Sequence, residues 1–210
     1  MFFSFSFTPD ALTVPSREFT GGKLVCASLL NNDCVVYSLG SRGDFKFEND
    51  LIASTQCTVV TFDCTFDGIS QHPRHSYVRK CLGTSIKMLE DPHNWITIDA
   101  AMHDMGHSRL TLLKMDIEGA EYDVFAYWQD VQTLPQQISF ELHFADVYYG
   151  TSAFHNASDY SNLIWPLHRV SVAEMGLLLV HLSNFGYGIV SREDNYRCPH
   201  CSELTLLRIA

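Results

Sequence analysis

Apolar positions in this chain cluster in short dense runs separated by stretches of helical period. CVVYSLG (34–40), TVVTFD (58–63), LTLLKMD (110–116) and QISFELH (137–143) are β-branched, aromatic or leucine-rich runs of strand length. Their continuous rather than alternating character is that of strands buried on both faces. SYVRKCLG (76–83) reads as a further strand, and WITIDAAMHDMG as a strand edge followed by a short helix. Between these runs, FKFENDLIAS carries acids near its start and apolar residues at helical spacing, as do Glu121 to Trp128 and Ser171 to Asn184. YGIVSR and ELTLLRI close the chain as two strands whose short link, EDNYRCPHCS, predicts an antiparallel pair. Strand and helix therefore alternate, which predicts an α/β fold with a mostly parallel sheet and helices on both faces.

Two regions do not follow this rhythm. The segment up to Gly22 is polar and glycine-containing and reads as an arm or lid, with a helix or turn over Leu24 to Leu30. Residues 144–170 are rich in aromatic, Asn, Ser and Asp residues without period, as expected of a substrate-side insertion. The expected organisation is thus an amino-terminal arm over 1–33 and one domain over 34–210.

At 210 residues and 46% hydrophobic, the chain suffices for one substantial core. Twenty-four Asp and Glu against 14 scattered Lys and Arg give a net charge of -10, which argues against a nucleic-acid surface and favours a small-molecule partner. No apolar stretch approaches the roughly 20 residues of a membrane span, and MFFSFSFTPDALTVP lacks the basic start and full apolar centre of a secretory signal. Seven cysteines are an odd number and too few for a disulfide scaffold, leaving the compartment open. A sequon at Asn156 matters only in a secretory compartment.

Chemistry concentrates at strand ends. Ser38, Gly40, Ser41 and Gly43 form a turn between the first strand and its helix, where missing Cβ atoms let main-chain amides approach a ligand. The three-glycine dinucleotide fingerprint is incomplete, since Phe45 stands where the third small residue belongs. Asp63 ends the second strand 23 residues after Gly40, near the separation of roughly 20 at which a carboxylate reaches a ribose diol. Asp116 and Glu118 follow the LTLLKM strand, and Glu141 and His143 end the ISFELH strand, so the four are expected to face one crevice.

Together, VVYSLGSRGDFKFE, TFD, LLKMDIEGAEYDVF and ISFELH resemble the FkbM-type branch of class I S-adenosylmethionine-dependent methyltransferases, in particular its eukaryotic methyltransferase-like members. The resemblance spans about residues 34–143, and KMDIEGAE is its most specific part. It implies a Rossmann-like, seven-stranded sheet with a reversed last strand, the methyl donor S-adenosylmethionine lying over Gly40 to Gly43, and Asp63 on its ribose. The chain departs from the family's usual first motif in having Ser38 where an acid commonly stands.

On this reading the protein moves a methyl group to an oxygen of a small-molecule or glycan-like acceptor. His143 is the preferred base, with Asp116, Glu141 and Glu118 as its catalytic neighbours. A divalent cation held by the same oxygens is a less favoured reading, and no metal ligand is assigned. The competing readings are a non-catalytic binding domain on the same fold, motivated by Ser38 and the featureless 144–170 segment, and an NAD(P)-dependent oxidoreductase, motivated by the glycine turn and Asp63. CPHC (198–201) has no second pair to complete a zinc site and reads as a local disulfide or inert thiols.

Overall fold

Strands with no polar alternation end up in the middle of a sheet, flanked on both sides by other elements. The structure is a computed structural model, and it describes residues 11–14, 23–128, 131–143, 170, 172–195 and 201–209. The chain order is β1 (Ala11–Val14), β2 (Lys23–Cys26), a 3-10 turn at Ala27–Leu29, β3 (Val35–Leu39), α1 (Lys46–Ser54), β4 (Thr58–Phe62), β5 (His75–Val78), β6 (Cys81–Leu82), α2 (Ser85–Glu90), β7 (Trp95–Ile96), α3 (Ile98–Met105), β8 (Leu112–Met115), α4 (Glu121–Ala126), β9 (Gln137–His143), α5 (Val172–Asn184), β10 (Tyr187–Asp194) and β11 (Cys201–Arg208).

Seven strands form the main sheet in the order β10-β11-β9-β8-β3-β4-β5. The pairs from β9 to β5 are parallel, and β11, the last strand of the chain, is reversed between β9 and β10. This is the seven-stranded sheet with a reversed last strand that the resemblance implies. Two findings differ from the sequence reading: residues 24–30 form β2 and a 3-10 turn, and SYVRKCLG divides into β5 of the main sheet and β6, which pairs with β7. The 144–169 segment, the sequon at Asn156 and Cys198 lie outside the described residues.

Strand alternation gives the sheet two unlike faces. Val35, Tyr37, Leu39, Val60, Phe62, Leu113, Met115, Ile138, Phe140, Leu204 and Leu206 point to one face, where they pack with Ile98, Met102, Phe125, Trp128, Leu178 and Leu182 from the helices α3, α4 and α5 and the turn after α4. The other face is covered by Phe47, Leu51 and Ile52 of α1 and by Val25 of the amino-terminal hairpin. Here polar side chains form a row. Thr61 is aligned with Ser38, Ser38 with Lys114, Lys114 with Ser139, and Ser139 with Thr205, and all five are buried.

Two disulfides tie β3 and β4 into this frame. Cys34–Cys57 joins the residues that lead into them, and Cys64–Cys81 joins the segment after β4 to β6. Cys201 is also disulfide-bonded, and Cys26 is the free cysteine among the described residues. Pairing is therefore more extensive than the odd count implied. Among the described residues, no helix is long and apolar enough to cross a membrane.

Candidate active site

Register alone brings the expected residues to one rim. Leu39 is paired with Phe62 and Met115, and Met115 with Phe140. The next residue on each strand, Gly40, Asp63, Asp116 and Glu141, therefore lies at the same level of the sheet's carboxyl edge. Hydrogen bonds continue the ladder into this row, from Gly40 N to Phe62 O at 3.0 Å and from Asp116 N to Leu39 O at 3.0 Å.

Gly40 has φ +76°, and a Cβ there would come within 1.9 Å of the main-chain oxygen of Asp116. The neighbouring strand by itself already requires glycine here. Gly43, at φ +79°, is pressed against the ring of Phe66. Asp63 accepts hydrogen bonds from Ser41 N (2.9 Å), Arg42 N (2.6 Å), Thr65 N (2.9 Å) and the hydroxyls of Thr65 (2.7 Å) and Ser41 (3.3 Å). Burial pushes its pKa up, but these donors outweigh burial and hold the carboxyl below its ordinary value. Its acceptor capacity is filled, so a ribose hydroxyl has to displace Ser41 or Thr65 Oγ to reach it.

Ser38 is fully buried and donates to Glu48 Oε1 at 2.5 Å, beneath the turn rather than on its surface. Lys114, in the polar row, donates to the carbonyls of Gly40 (2.5 Å) and Leu39 (3.3 Å) and so fixes the glycine turn from below.

Asp116, Glu118, Glu141 and His143 do come together. His143 lies with Nδ1 3.3 Å from Glu121 Oε1, and with Nε2 3.5 Å from Glu141 Oε2 and 3.6 Å from Glu118 Oε2. Burial lowers the imidazole pKa, yet Glu121, Glu141 and Asp116 overcome it and push it up to about 10. At neutral pH it is an imidazolium, already carrying its proton. Glu141 moves the opposite way to most carboxyls: burial and then Asp116 raise it to about 7, against the lowering by His143 and Lys23. Asp116 stays low because Lys23, Lys114 and His143 together outweigh burial. Glu118 sits at φ +58° in the turn before α4, and its carboxyl is raised by burial and by Asp116.

Lys114 and three further contributors escaped the sequence reading. Lys23 of β2, fully buried, is paired with Glu203 and lies 3.9 Å from Asp116. Asn195 Nδ2 donates to Glu141 Oε1 at 2.8 Å. Glu203 is the register partner of Glu141 on β11. Lys114 and Glu203 were detectable as lone charges within otherwise strand-like runs, whereas nothing local marks Lys23 or Asn195. The Cys201 sulfur lies within 4.8 Å of ligand atoms of Glu141 and His143, but as a disulfide sulfur it offers no thiolate to a metal.

Two cavities meet at this rim. The larger, about 360 Å³, is lined by Gly40, Asp63, Phe66, Leu82, Trp95 and Glu118 among others, and Cys64 and Cys81 form part of its wall. That volume lies in the range of small-molecule sites, roughly 300–1,000 Å³. The smaller, about 130 Å³, is bordered by Glu48, Lys114, Asp116 and Glu141 and shares Gly40, Arg42, Asp116 and Glu118 with the first.

Residues 6–166 match a family model described as a methyltransferase domain. No curated protein matches the chain. Similar solved structures include M. capricolum TrmK in complex with S-adenosyl-homocysteine, at 10% identity over 87% of this chain and 66% of that one, TM-score 0.44. The antibiotic-resistance methyltransferase Kmr matches at 13% over 87% and 91%, TM-score 0.47. A 16S rRNA (adenine(1408)-N(1))-methyltransferase variant from Catenulisporales acidiphilia matches at 10% over 95% and 97%, TM-score 0.46. This chain thus spans just under two thirds of the length of TrmK. The expectation that nucleic acid is excluded as a partner is not upheld: a 16S rRNA methyltransferase is among the solved structures similar to this chain.

Proposed function

The chain belongs to the methyltransferase-domain family, and we propose that it transfers the methyl group of S-adenosylmethionine to an oxygen of a small-molecule or glycan-like acceptor, as a member of the FkbM-type branch. The observation that carries this reading is the single row of Gly40, Asp63, Asp116 and Glu141 at the carboxyl edge of the sheet, the first three lining a cavity of about 360 Å³ and Glu141 the smaller one that joins it. The aromatic wall of Phe66 and Trp95 suits the adenine end, and Asp63 would take the ribose after one hydroxyl gives way.

The sulfonium donor is already activated, so alignment of the acceptor with the methyl carbon supplies much of the rate. As the acceptor oxygen bonds to that carbon, the carbon–sulfur bond breaks, the sulfur keeps the electron pair, and the acceptor proton leaves to a base. Glu141 rather than His143 suits that role, because a carboxyl near 7 exchanges its proton at neutral pH while the imidazolium cannot accept one. His143 instead offers a positive charge beside the reacting oxygen, oriented by Glu121.

Calorimetry with S-adenosylmethionine and S-adenosylhomocysteine tests the donor: micromolar to millimolar binding is expected, and silence from folded protein at millimolar ligand defeats it. Radiolabelled transfer to a panel of glycans, small hydroxylated compounds and RNA then identifies the acceptor. Labelling of RNA alone would overturn the acceptor assigned here.

A further inference from the structure

Asn195 follows β10 directly, and its main-chain N–H reaches Cys201 O at 3.4 Å, so the β10–β11 ladder runs one step past Asp194 and Ser202 to place it. From there its side chain crosses the start of β11, which lies between β10 and β9, and Nδ2 donates to Glu141 Oε1 at 2.8 Å.

Asp116 after β8, His143 of β9, Lys23 of β2 and Glu203 of β11 also act on this carboxyl, and all four are ionisable. Burial and Asp116 disfavour its ionised form, while His143 and Lys23 favour it. Glu118 faces the same imidazole, and Lys23 is paired with Glu203, so the hold of each neighbour depends on the charge of others. The amide of Asn195 neither gains nor loses a proton near neutral pH. It therefore grips one oxygen in the same way whichever neighbour is charged.

The two oxygens of Glu141 are thereby made unequal. Oε1 accepts from Nδ2, whereas Oε2 faces His143 Nε2 at 3.5 Å, longer than an ordinary N–H···O bond. Glu141 lines the smaller cavity with Asp116 and Glu118; Asn195 does not, so it holds the carboxyl from outside that space.

We propose that Asn195 is a positioning residue for proton transfer, which holds Glu141 through Oε1 and leaves Oε2 to take the proton of the acceptor. This rests on the reading of Glu141 as the base. In this role Asn195 touches neither donor nor acceptor.

NMR titration tests the assignment without any acceptor, using protein labelled with carbon-13 at the glutamate side-chain carboxyl and nitrogen-15 at asparagine. The Glu141 signal is the one lost in Glu141→Gln. In wild type the Asn195 side-chain amide is expected to shift with the same midpoint as Glu141. It should remain hydrogen-bonded on the acid side, because Oε1 stays a carbonyl oxygen when Oε2 is protonated. An amide that ignores the Glu141 transition, or is released by it, overturns the assignment with no variant of Asn195 needed.

In Asn195→Ala, loss of a donor to the ionised form is expected to make Glu141 roughly tenfold harder to ionise. Affinity for S-adenosylhomocysteine, read by calorimetry, should change less than about twofold. An unchanged Glu141 titration, or a changed one with a comparable loss of S-adenosylhomocysteine affinity, also overturns the role of Asn195. A wild-type Glu141 that ionises in the ordinary carboxylate range overturns the base reading itself, even where the two signals move together.

Discussion

A Cβ on residue 40 would occupy the space of the Asp116 carbonyl, and φ +76° is costly for any L side chain. Gly40→Ala is therefore expected to lose at least about 2 kcal/mol of stability, read as a lower denaturation midpoint with unchanged cooperativity. A stable Gly40→Ala protein that merely fails to bind donor would return the glycine to a ligand role. Glu141 has a different signature. Its carboxyl is raised in the folded protein, so its contribution to stability is present below the ordinary carboxylate pKa and fades as pH climbs through about 7. Activity should run the other way, with kcat/KM rising about tenfold per pH unit below 7 and levelling above it. Glu141→Gln is expected to remove that rise and to slow transfer by roughly 10²- to 10⁴-fold. Persistence of the same pH limb in the variant would assign the proton elsewhere.

Among the elements, α3 shows how a short helix is held. Thr97 accepts from Ala100 N at 3.1 Å at its start, Gly106 ends it at φ +69°, and Ile98, Ala101 and Met102 enter the core between. Thr97→Ala should cost about 1 kcal/mol in urea unfolding; a neutral result would mean that core packing alone fixes the helix. The long buried strands were legible in the sequence because a parallel strand covered on both sides must be apolar throughout, as VVYSL and TVVTF are. Short elements were not. SIKMLE makes only six residues of helix with Ile86 and Leu89 exposed, so no apolar stripe announces it. LVCASLL fits strand and helix equally well until the hairpin with β1 decides. The rim residues were legible because strand ends mark them, while Lys23 reaches the site from far along the chain and Glu48 from a helix whose other buried residues are apolar.

At the scale of the whole molecule, the disulfides fasten opposite edges of the sheet. Cys34–Cys57 and Cys64–Cys81 span separations of 23 and 17 residues, for which loop-closure entropy gives about 3 kcal/mol each. Breaking either pair by Cys→Ser replacement should lower the melting temperature. Only loss of Cys64–Cys81, which borders the larger cavity, should also weaken donor binding. Equal effects on donor affinity would mean that the pairs act through global stability alone.

The hairpin that carries Lys23 has a consequence for where this catalytic unit can be cut. A chain begun at Asp33 would keep every strand of the main sheet, yet Asp116, Glu141 and Glu203 would crowd together without the buried ammonium that faces them. Such a truncation would be expected to misfold or to bind protons in compensation. Grafting or trimming at the amino terminus is therefore expected to change the charge state of the candidate site itself.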